Sequence, residues 1–320
     1  MNFPKFKTPK DIFGAGENPF ARKIAAGVIL LILLLVFVVL LLSKQTGDYD
    51  NQAAIVMAIE SMKTSEYSPN SIVTTGRNRP TNRFKSPYDN ANNLPRIAVI
   101  VKGLGLQDDN TKKAITELPA EITMALSPYG ANNPSWIDQA IENKHEILIG
   151  IPMEPADYPD TDPGPLTLLR RDTWEDNLKH LNTIAMPYDR PVGYINEFGN
   201  AYLSGDVQNR RFIDWIQLEE AIFVEDLIDN LNPPMNELSK QISADYVSSD
   251  LQIDALANTN AIVARLRKLE RDAKEKGYAV GIAQPYPLTI EVIKQWAKDL
   301  DSRGVVLSPV SAVVEKRKLQ

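Results

Sequence analysis

The sequence predicts an α/β fold, a (β/α) barrel of seven or eight parallel strands that is complete or slightly irregular. Residues 97–101 form an unbroken apolar run rich in β-branched side chains, which is typical of a strand buried on both faces. Similar short runs then alternate with segments of helical spacing, and the length of residues 95–320 suits one such barrel. An open doubly wound sheet is the alternative. A dinucleotide-binding loop is disfavoured, because Asp108 stands where its third glycine would follow Gly103 and Gly105.

The first half of the predicted barrel begins with the strand just described. Strands are expected at residues 97–101, 121–126, 146–151 and 192–195. Helices are expected at residues 109–118, 135–143 and 173–186. Asp108 is suited to cap the first helix. Ser127 and Pro128 end the second strand, whereas Pro152 and Asn196 end the third and fourth strands.

The second half continues the same alternation. Strands are expected at residues 221–224, 244–247, 279–283 and 305–307. Helices are expected at residues 207–218, 236–242, 259–276 and 290–302. Glu225 and Asp226 end the fifth strand, and Gln284 ends the seventh. Gly277 and Gly304 are expected to stop the last two helices.

The N-terminal part predicts a membrane anchor. Residues 24–42 are apolar apart from Gly27, and about 20 apolar residues span a bilayer as one helix. The lysines and arginines of residues 1–23 should keep that segment cytoplasmic, which places the rest of the chain on the other side. A cleaved signal peptide is the competing interpretation, but the apolar run is long for one and no Ala-x-Ala site follows it. Residues 43–94 are polar and proline-containing, so we expect a flexible linker before the domain at residues 95–320.

Composition excludes several classes of function. The net charge is -6, and no basic stripe marks a nucleic-acid-binding domain, so no nucleic-acid partner is expected. The chain has no cysteine, which excludes disulfides and cysteine-ligated metals. Its two histidines are interpreted as structural: His145 precedes a strand, at the end of the barrel opposite the ligand-binding loops, and His180 lies within a helix.

Residues that follow parallel strands meet at one end of a barrel, here called the rim, where ligands bind. The predicted rim residues are Lys102, Gly103, Ser127, Glu154, Asn196, Glu197, Asp226, Gln284 and Tyr286. Glu197, Glu225 and Asp226 are candidates for catalysis, because two carboxyl groups that flank a glycosidic bond can hydrolyse it. The alternative is that Lys102 forms a salt bridge with one of these acids.

Two further features leave alternatives open. Asp157, Asp160 and Asp162 can bind calcium in principle, but they lack the dense ligand spacing of a calcium loop, and a solvated turn is the simpler interpretation. Aromatic residues near the rim, among them Tyr129, Phe198 and Tyr286, can either stack on sugar rings or pack in the core.

Several motifs resemble the divergent polysaccharide deacetylase family over residues 96–313. They are Ile97-Ala-Val-Ile-Val, Leu104-Gly-Leu106, Ala125-Leu-Ser-Pro-Tyr129, His145-Glu-Ile-Leu, Pro152-Met-Glu-Pro155 and Asp162-Pro-Gly-Pro165, of which the last two are the most specific. The resemblance implies a distorted (β/α)7–8 barrel and a link to the metabolism of acetylated envelope glycans. With the predicted transmembrane helix, it implies a single-pass protein of a bacterial inner membrane with a periplasmic domain. The expected partners are an envelope glycan or an envelope protein.

The sequence departs from the family where the resemblance assigns metal binding and catalysis. The family's two adjacent aspartates correspond to Lys102 and Gly103, and a frequent histidine corresponds to Gly150. Asn196 and the segment that begins at Gln284 replace two further histidine-bearing segments. A lysine at the centre of a cation site opposes metal binding, so we expect that the ancestral divalent metal site is lost and that no cofactor is bound.

Three functional hypotheses follow, and they leave open whether the protein is an enzyme. The first is a pseudoenzyme that binds envelope glycan or a partner protein at the rim. The second is a metal-independent glycan hydrolase that uses Glu197 with Glu225 or Asp226, which requires carboxyl groups about 5–9 Å apart across an open cleft. A lysine between those groups would exclude it. The third is a structural interaction module.

Overall fold

The computed structural model describes Lys85 and residues 93–188, 190–227 and 235–318. The predicted transmembrane helix at residues 24–42 lies outside the described residues, as does nearly all of the predicted linker. Within the described ranges, no helix is both long enough and apolar enough to cross a membrane.

A parallel sheet forms the centre of the described domain. Its strands are β1 (Arg96–Leu104), β2 (Thr123–Leu126), β3 (Ile147–Met153), β4 (Gly193–Phe198), β5 (Ile222–Glu225), β6 (Tyr246–Ser248), β7 (Leu251–Gln252), β8 (Tyr278–Ala283) and β9 (Val306–Leu307). The helices of the described residues are α1 (Asp108–Glu117), α2 (Asn133–Glu142), α3 (Trp174–Ala185), α4 (Asp206–Leu218), α5 (Met235–Gln241), α6 (Thr259–Lys276), α7 (Pro287–Ala297) and α8 (Val310–Lys318).

The strands lie in the order β6-β5-β4-β3-β2-β1-β8-β7, and β9 pairs with the first residues of β1. The two strands at the ends of this order are consecutive in the chain. The backbone N–H of Ser249 donates to the carbonyl of Glu225 on one side, and the N–H of Asp250 donates to the carbonyl of Val280 on the other. The sheet is therefore curled, and the short stretch from β6 to β7 contacts both β5 and β8.

The strands are apolar on both faces because each face contacts a different layer. In β1, Ala98 and Ile100 belong to the cluster enclosed by the curled sheet, whereas Val99 and Val101 pack against the outer helices. Helix α8 contributes its valines, including Val313, to the enclosed cluster. This helix closes the end of the sheet where the strands begin, so the opposite end is left to form the rim.

Local sequence accounts for the best-predicted helix boundaries. The side chain of Thr173 accepts a hydrogen bond from the N–H of Asp176 at the start of α3. Asn258 caps α6 in the same way, and Gly277 ends α6 with a φ of 84°.

The predicted parallel α/β architecture is confirmed, with a curled sheet. The predicted last helix at residues 290–302 is wrong in its extent, because α7 ends at Ala297 and a separate 3-10 turn follows at Asp301–Arg303. Strand β7 and helix α8 were not predicted. Helix α8 has five consecutive buried apolar or small residues, from Val310 to Val314, so it shows no helical alternation of apolar and polar side chains.

Candidate functional site

A buried ion pair lies at the rim, at the ends of β1 and β5. Lys102 Nζ donates to Oδ2 of Asp226 at 2.6 Å, and the two side chains are only 9% and 4% exposed. Lys102 points into the enclosed space because it continues the inward positions of Ala98 and Ile100. The salt bridge between Lys102 and one of the rim acids, which the sequence left as an alternative, is thus present.

Asn196 fixes this pair from β4. Its side-chain oxygen accepts the N–H of Asp226 at 2.7 Å, and its amide nitrogen donates to the carbonyl of Asp226 at 3.2 Å. The carbonyl of Asn196 also accepts a longer hydrogen bond, 3.4 Å, from Lys102. Ser249 adds a hydroxyl donor to Oδ1 of Asp226 at 3.4 Å. Asp226 is therefore held on both oxygens by protein groups.

Glu197 lies beside this pair and turns inward over β3. A Cβ atom on Gly150 would lie 2.8 Å from Cδ of Glu197, so the glycine provides the space that the carboxyl group fills. Burial raises the pKa of Glu197, whereas the charge of Lys102 and a hydrogen bond from Ser127 lower it. Glu197 thus lies beside a lysine whose charge is already matched by Asp226.

Gln284 completes the rim from the end of β8. It lies against the backbone of Gly103, where a Cβ would be 3.1 Å from Oε1 of Gln284. Gly103 has a φ of 80°, a conformation that side-chain-bearing residues rarely adopt. The N–H of Gln284 donates to Asp254 at 2.9 Å, so Asp254 positions this loop.

The side chain of Glu225, a predicted catalytic candidate, points away from the ion pair and toward the outer helices. Along β5, Val224 belongs to the enclosed cluster and Phe223 packs against the helices, so Glu225 shares the outward side of Phe223. Its carboxyl group accepts a hydrogen bond from the hydroxyl of Tyr246. Glu197 and Asp226 remain together, but Lys102 is bonded to Asp226. The three catalytic candidates therefore do not provide two free carboxyl groups that face each other.

The remaining predicted rim residues differ in exposure. Tyr286 is 52% exposed just before α7. Glu154 is partly buried and accepts the N–H of Arg170 at 2.6 Å, so it anchors the loop that follows β3. Tyr129 supports the same loop, because its hydroxyl accepts the N–H of Leu166 at 3.1 Å.

The histidines and the aspartate loop lie outside this site. The two ring nitrogens of His145 lie 2.8 Å and 3.0 Å from backbone carbonyls of Ile122 and Ile115, where the side chain is buried. Within the loop, Asp162 accepts the N–H of Gly164 at 2.9 Å, as expected of a turn-forming residue.

The donor set at the rim does not fit the divalent metal that the deacetylase resemblance implies. In the part of the chain that the structure describes, no three histidine or acidic side chains come together as metal ligands. Asp226 is bonded to Lys102, and Gly103 and Gly150 offer no side chain. A divalent ion at this position would meet an ammonium group.

Sequence reasoning missed two contributors to the site. Ser249 follows β6 directly, and Asp254 follows β7, which is too short to be recognised from the sequence. Phe198 is 40% exposed at the end of β4 and has a φ of 60°, which is uncommon outside glycine. It was among the aromatic residues that the sequence offered as rim candidates.

Comparison with known proteins adds the evolutionary context. The family described as divergent polysaccharide deacetylase matches residues 99–314, more than half of the chain. The uncharacterized protein YibQ of Escherichia coli (strain K12) is 20% identical over 208 residues, which cover 64% of this chain and 63% of that protein. The match thus spans less than two thirds of that relative.

Solved structures are also similar. The crystal structure of the uncharacterized protein ATU2773 from Agrobacterium tumefaciens C58 has 31% sequence identity and a TM-score of 0.70, and the alignment covers 73% of this chain and 95% of that chain. The Bdellovibrio bacteriovorus peptidoglycan deacetylase Bd3279 is more distant, with 12% identity and a TM-score of 0.39 over 68% of this chain and 53% of that chain. That distant likeness carries no argument about activity.

Proposed function

Because the chain belongs to the divergent polysaccharide deacetylase family, we propose that it is a membrane-anchored envelope protein whose rim binds glycan without deacetylating it. The anchor is residues 24–42, and residues 95–320 face the periplasm of a bacterial inner membrane. The observation that carries the proposal is the ion pair between Lys102 and Asp226.

This ion pair opposes metal-assisted hydrolysis for an electrostatic reason. In such a reaction a divalent ion polarises a carbonyl group and lowers the pKa of a bound water. At this rim the ammonium group of Lys102 lies where anionic ligands would be needed, and it bonds to the acid that remains. The family scaffold is retained, whereas the groups that would hold the ion are replaced.

The rim nevertheless keeps features suited to a sugar. Phe198 and Tyr286 are exposed at the ends of β4 and β8, which are separated by β3, β2 and β1 in the sheet. Two aromatic side chains on different sides of the rim offer apolar faces for sugar rings. The partly buried Glu197 and Gln284 between them offer hydrogen-bonding groups.

The metal-independent hydrolase is not favoured by this geometry. It needs an acid and a second carboxylate that face each other across an open cleft. Glu225 faces the outer helices, and Asp226 is held by Lys102 and Asn196. Glu197 is thus left without a free partner among the predicted candidates.

The test uses the full chain purified in an uncharged detergent. Metal content is measured, and deacetylation of chito-oligomers is assayed with added zinc, cobalt or manganese. Binding to the same oligomers and to peptidoglycan fragments is measured by calorimetry. We expect binding without turnover, and turnover that a chelator abolishes would overturn the proposal.

A pair of variants locates the binding surface. Tyr286→Ala removes an exposed rim aromatic and should weaken glycan binding by about ten-fold, as loss of a stacking contact does. Leu218→Ala removes an exposed apolar side chain at the end of α4 and should leave binding unchanged. Equal binding by both variants, or no glycan binding at all, would favour a protein partner or a structural module instead.

A further inference from the structure

Helices α6 and α7 pack side by side on the outside of the sheet and leave a groove between them of about 740 Å³. Its floor is apolar and is formed by Val263 of α6 with Val292 and Trp296 of α7. Leu288 borders the floor and is 40% exposed. The groove therefore exposes apolar surface to solvent at a place separate from the rim.

One wall of the groove is a row of positive charges. Arg267, Arg271 and Lys274 are spaced four and three residues apart, so they project from the same side of α6. All three are exposed. None of them takes part in an ion pair within the part of the chain that the structure describes, although α6 has ion pairs elsewhere, such as Lys268 with Asp272.

Both acids that line the groove are bonded to groups other than these three cations. Glu270 accepts hydrogen bonds from Trp296 at 2.7 Å and from Arg303 at 3.2 Å. Glu291 lies 2.9 Å from Lys294, which it shares with Glu117 at 2.7 Å. The groove thus presents unmatched positive charge, although the whole chain has a net charge of -6. An anionic occupant is favoured.

The dimensions fit one helix. The three cations span seven residues of α6, about 10 Å at 1.5 Å per residue, and α7 is about 16 Å long. A helix lying along the groove can present carboxylates at positions i, i+4 and i+7 to this row. Apolar side chains on its adjoining face then contact Val263, Val292 and Trp296. A flat lipid surface can reach the charges but not the buried Val292 between the helices.

We propose that this groove binds an acidic amphipathic helix of a partner protein, with its carboxylates on Arg267, Arg271 and Lys274 and its apolar face on the floor. Recognition of this kind uses a helix in a groove, with anchors at helical spacing. The aliphatic stems of the three cations extend the apolar contact. This interaction is independent of glycan binding at the rim.

The test measures peptide binding to the full chain in uncharged detergent. The probe is a fluorescent synthetic helix with glutamates at i, i+4 and i+7 and leucines on the adjoining face. Its controls are a scrambled peptide of the same composition and a peptide with lysine at the three glutamate positions. We expect the acidic helix to bind at least about ten-fold more tightly than either control, with affinity that falls as salt is added.

Charge reversal assigns the binding to the groove. Arg267→Glu/Arg271→Glu should weaken binding of the acidic peptide by about ten-fold or more and should strengthen binding of the lysine peptide. The matched control Lys112→Glu/Lys240→Glu reverses two exposed charges outside the groove and should bind like the wild type. Circular dichroism verifies that both variants are folded.

Several results would overturn the proposal. A scrambled peptide that binds as tightly as the acidic helix, or equal binding by both double variants, would remove the groove from the interaction. The chain could instead bind vesicles that contain anionic lipid and fail to bind the peptide. If Arg267→Glu/Arg271→Glu then loses vesicle binding, the groove is a lipid-facing patch. Light scattering that shows a dimer dependent on Arg267 and Arg271 would identify a second copy as the occupant.

Discussion

Glu197 fills the space that the missing side chain of Gly150 leaves on the neighbouring strand. A Cβ on Gly150 would lie 2.8 Å from Cδ and 3.0 Å from Cγ of Glu197. The registers of β3 and β4 bring these residues together, because Gly150 pairs with Ile195 and Pro152 pairs with Glu197. The absence of a side chain at Gly150 therefore makes room for the side chain of Glu197.

Gly150→Ala should displace Glu197 and destabilise the domain. An added methyl group in a packed site costs about 1–3 kcal/mol when its neighbours cannot move freely. Urea unfolding of the variant measures this loss of free energy. In a Glu197→Ala background the same substitution should cost much less, and an equal cost in both backgrounds would show that the glutamate is not what excludes the methyl group.

Lys102→Met should destabilise the domain by about 3–5 kcal/mol, because it leaves the buried carboxylate of Asp226 without its cation. Lys102→Met/Asp226→Asn removes both charges and should recover much of that loss. The control is Lys179→Met, which breaks an exposed ion pair with Asp176 and should cost less than about 1 kcal/mol. Similar losses for the two lysines in chemical denaturation would contradict the buried character of the first pair.

Glu225 should make stability depend on pH near neutrality. Burial raises its pKa to about 7, so the folded protein keeps the proton over a range in which the unfolded chain has lost it. Stability associated with this group is complete below the unfolded pKa of about 4.5 and falls as pH rises through about 7. Glu225→Gln stays neutral and should become more stable relative to wild type between pH 5 and pH 8. Unfolding curves at both pH values measure the difference, which should be absent if the carboxyl group ionises normally.

His145 should show the opposite dependence. Burial lowers its pKa, so the folded state disfavours the charged imidazolium. The folded protein should therefore lose stability as pH falls below about 6.5, the pKa of an unperturbed histidine. Titration of the ring protons of His145 by NMR gives its midpoint directly. A midpoint above 6.5 would mean that the two carbonyl groups at its ring nitrogens outweigh the loss of solvation.

Strand ends and helix caps could be predicted because their signals are local. Gly277 stops α6 where the sequence placed its end, and Asn196 follows the predicted fourth strand closely enough to identify a rim residue. The choice between Glu225 and Asp226 could not be made. A strand buried on both faces shows no alternation of polar and apolar residues, so the sequence does not reveal which of two adjacent acids points inward.

Long-range packing accounts for the other differences. Gly150 was recognised as a changed position, but only the register of β3 with β4 shows that Glu197 occupies its space. Strand β7 has two residues, which is too few to give a pattern. Helix α8 is buried at the end of the sheet. Its valines contact the strands, and the sequence of α8 alone does not show those contacts.

The way α8 closes the sheet has a consequence for synthesis on the ribosome. Strand β1 is made early, yet its neighbours β8 and β9 and the valines beneath it come from residues 278–314. The apolar residues of β1 thus remain without these contacts until more than 170 later residues have been translated, as the separation of Leu104 from Tyr278 shows. Such distant pairing delays completion of the fold and leaves apolar surface of β1 uncovered until the C-terminal segment emerges.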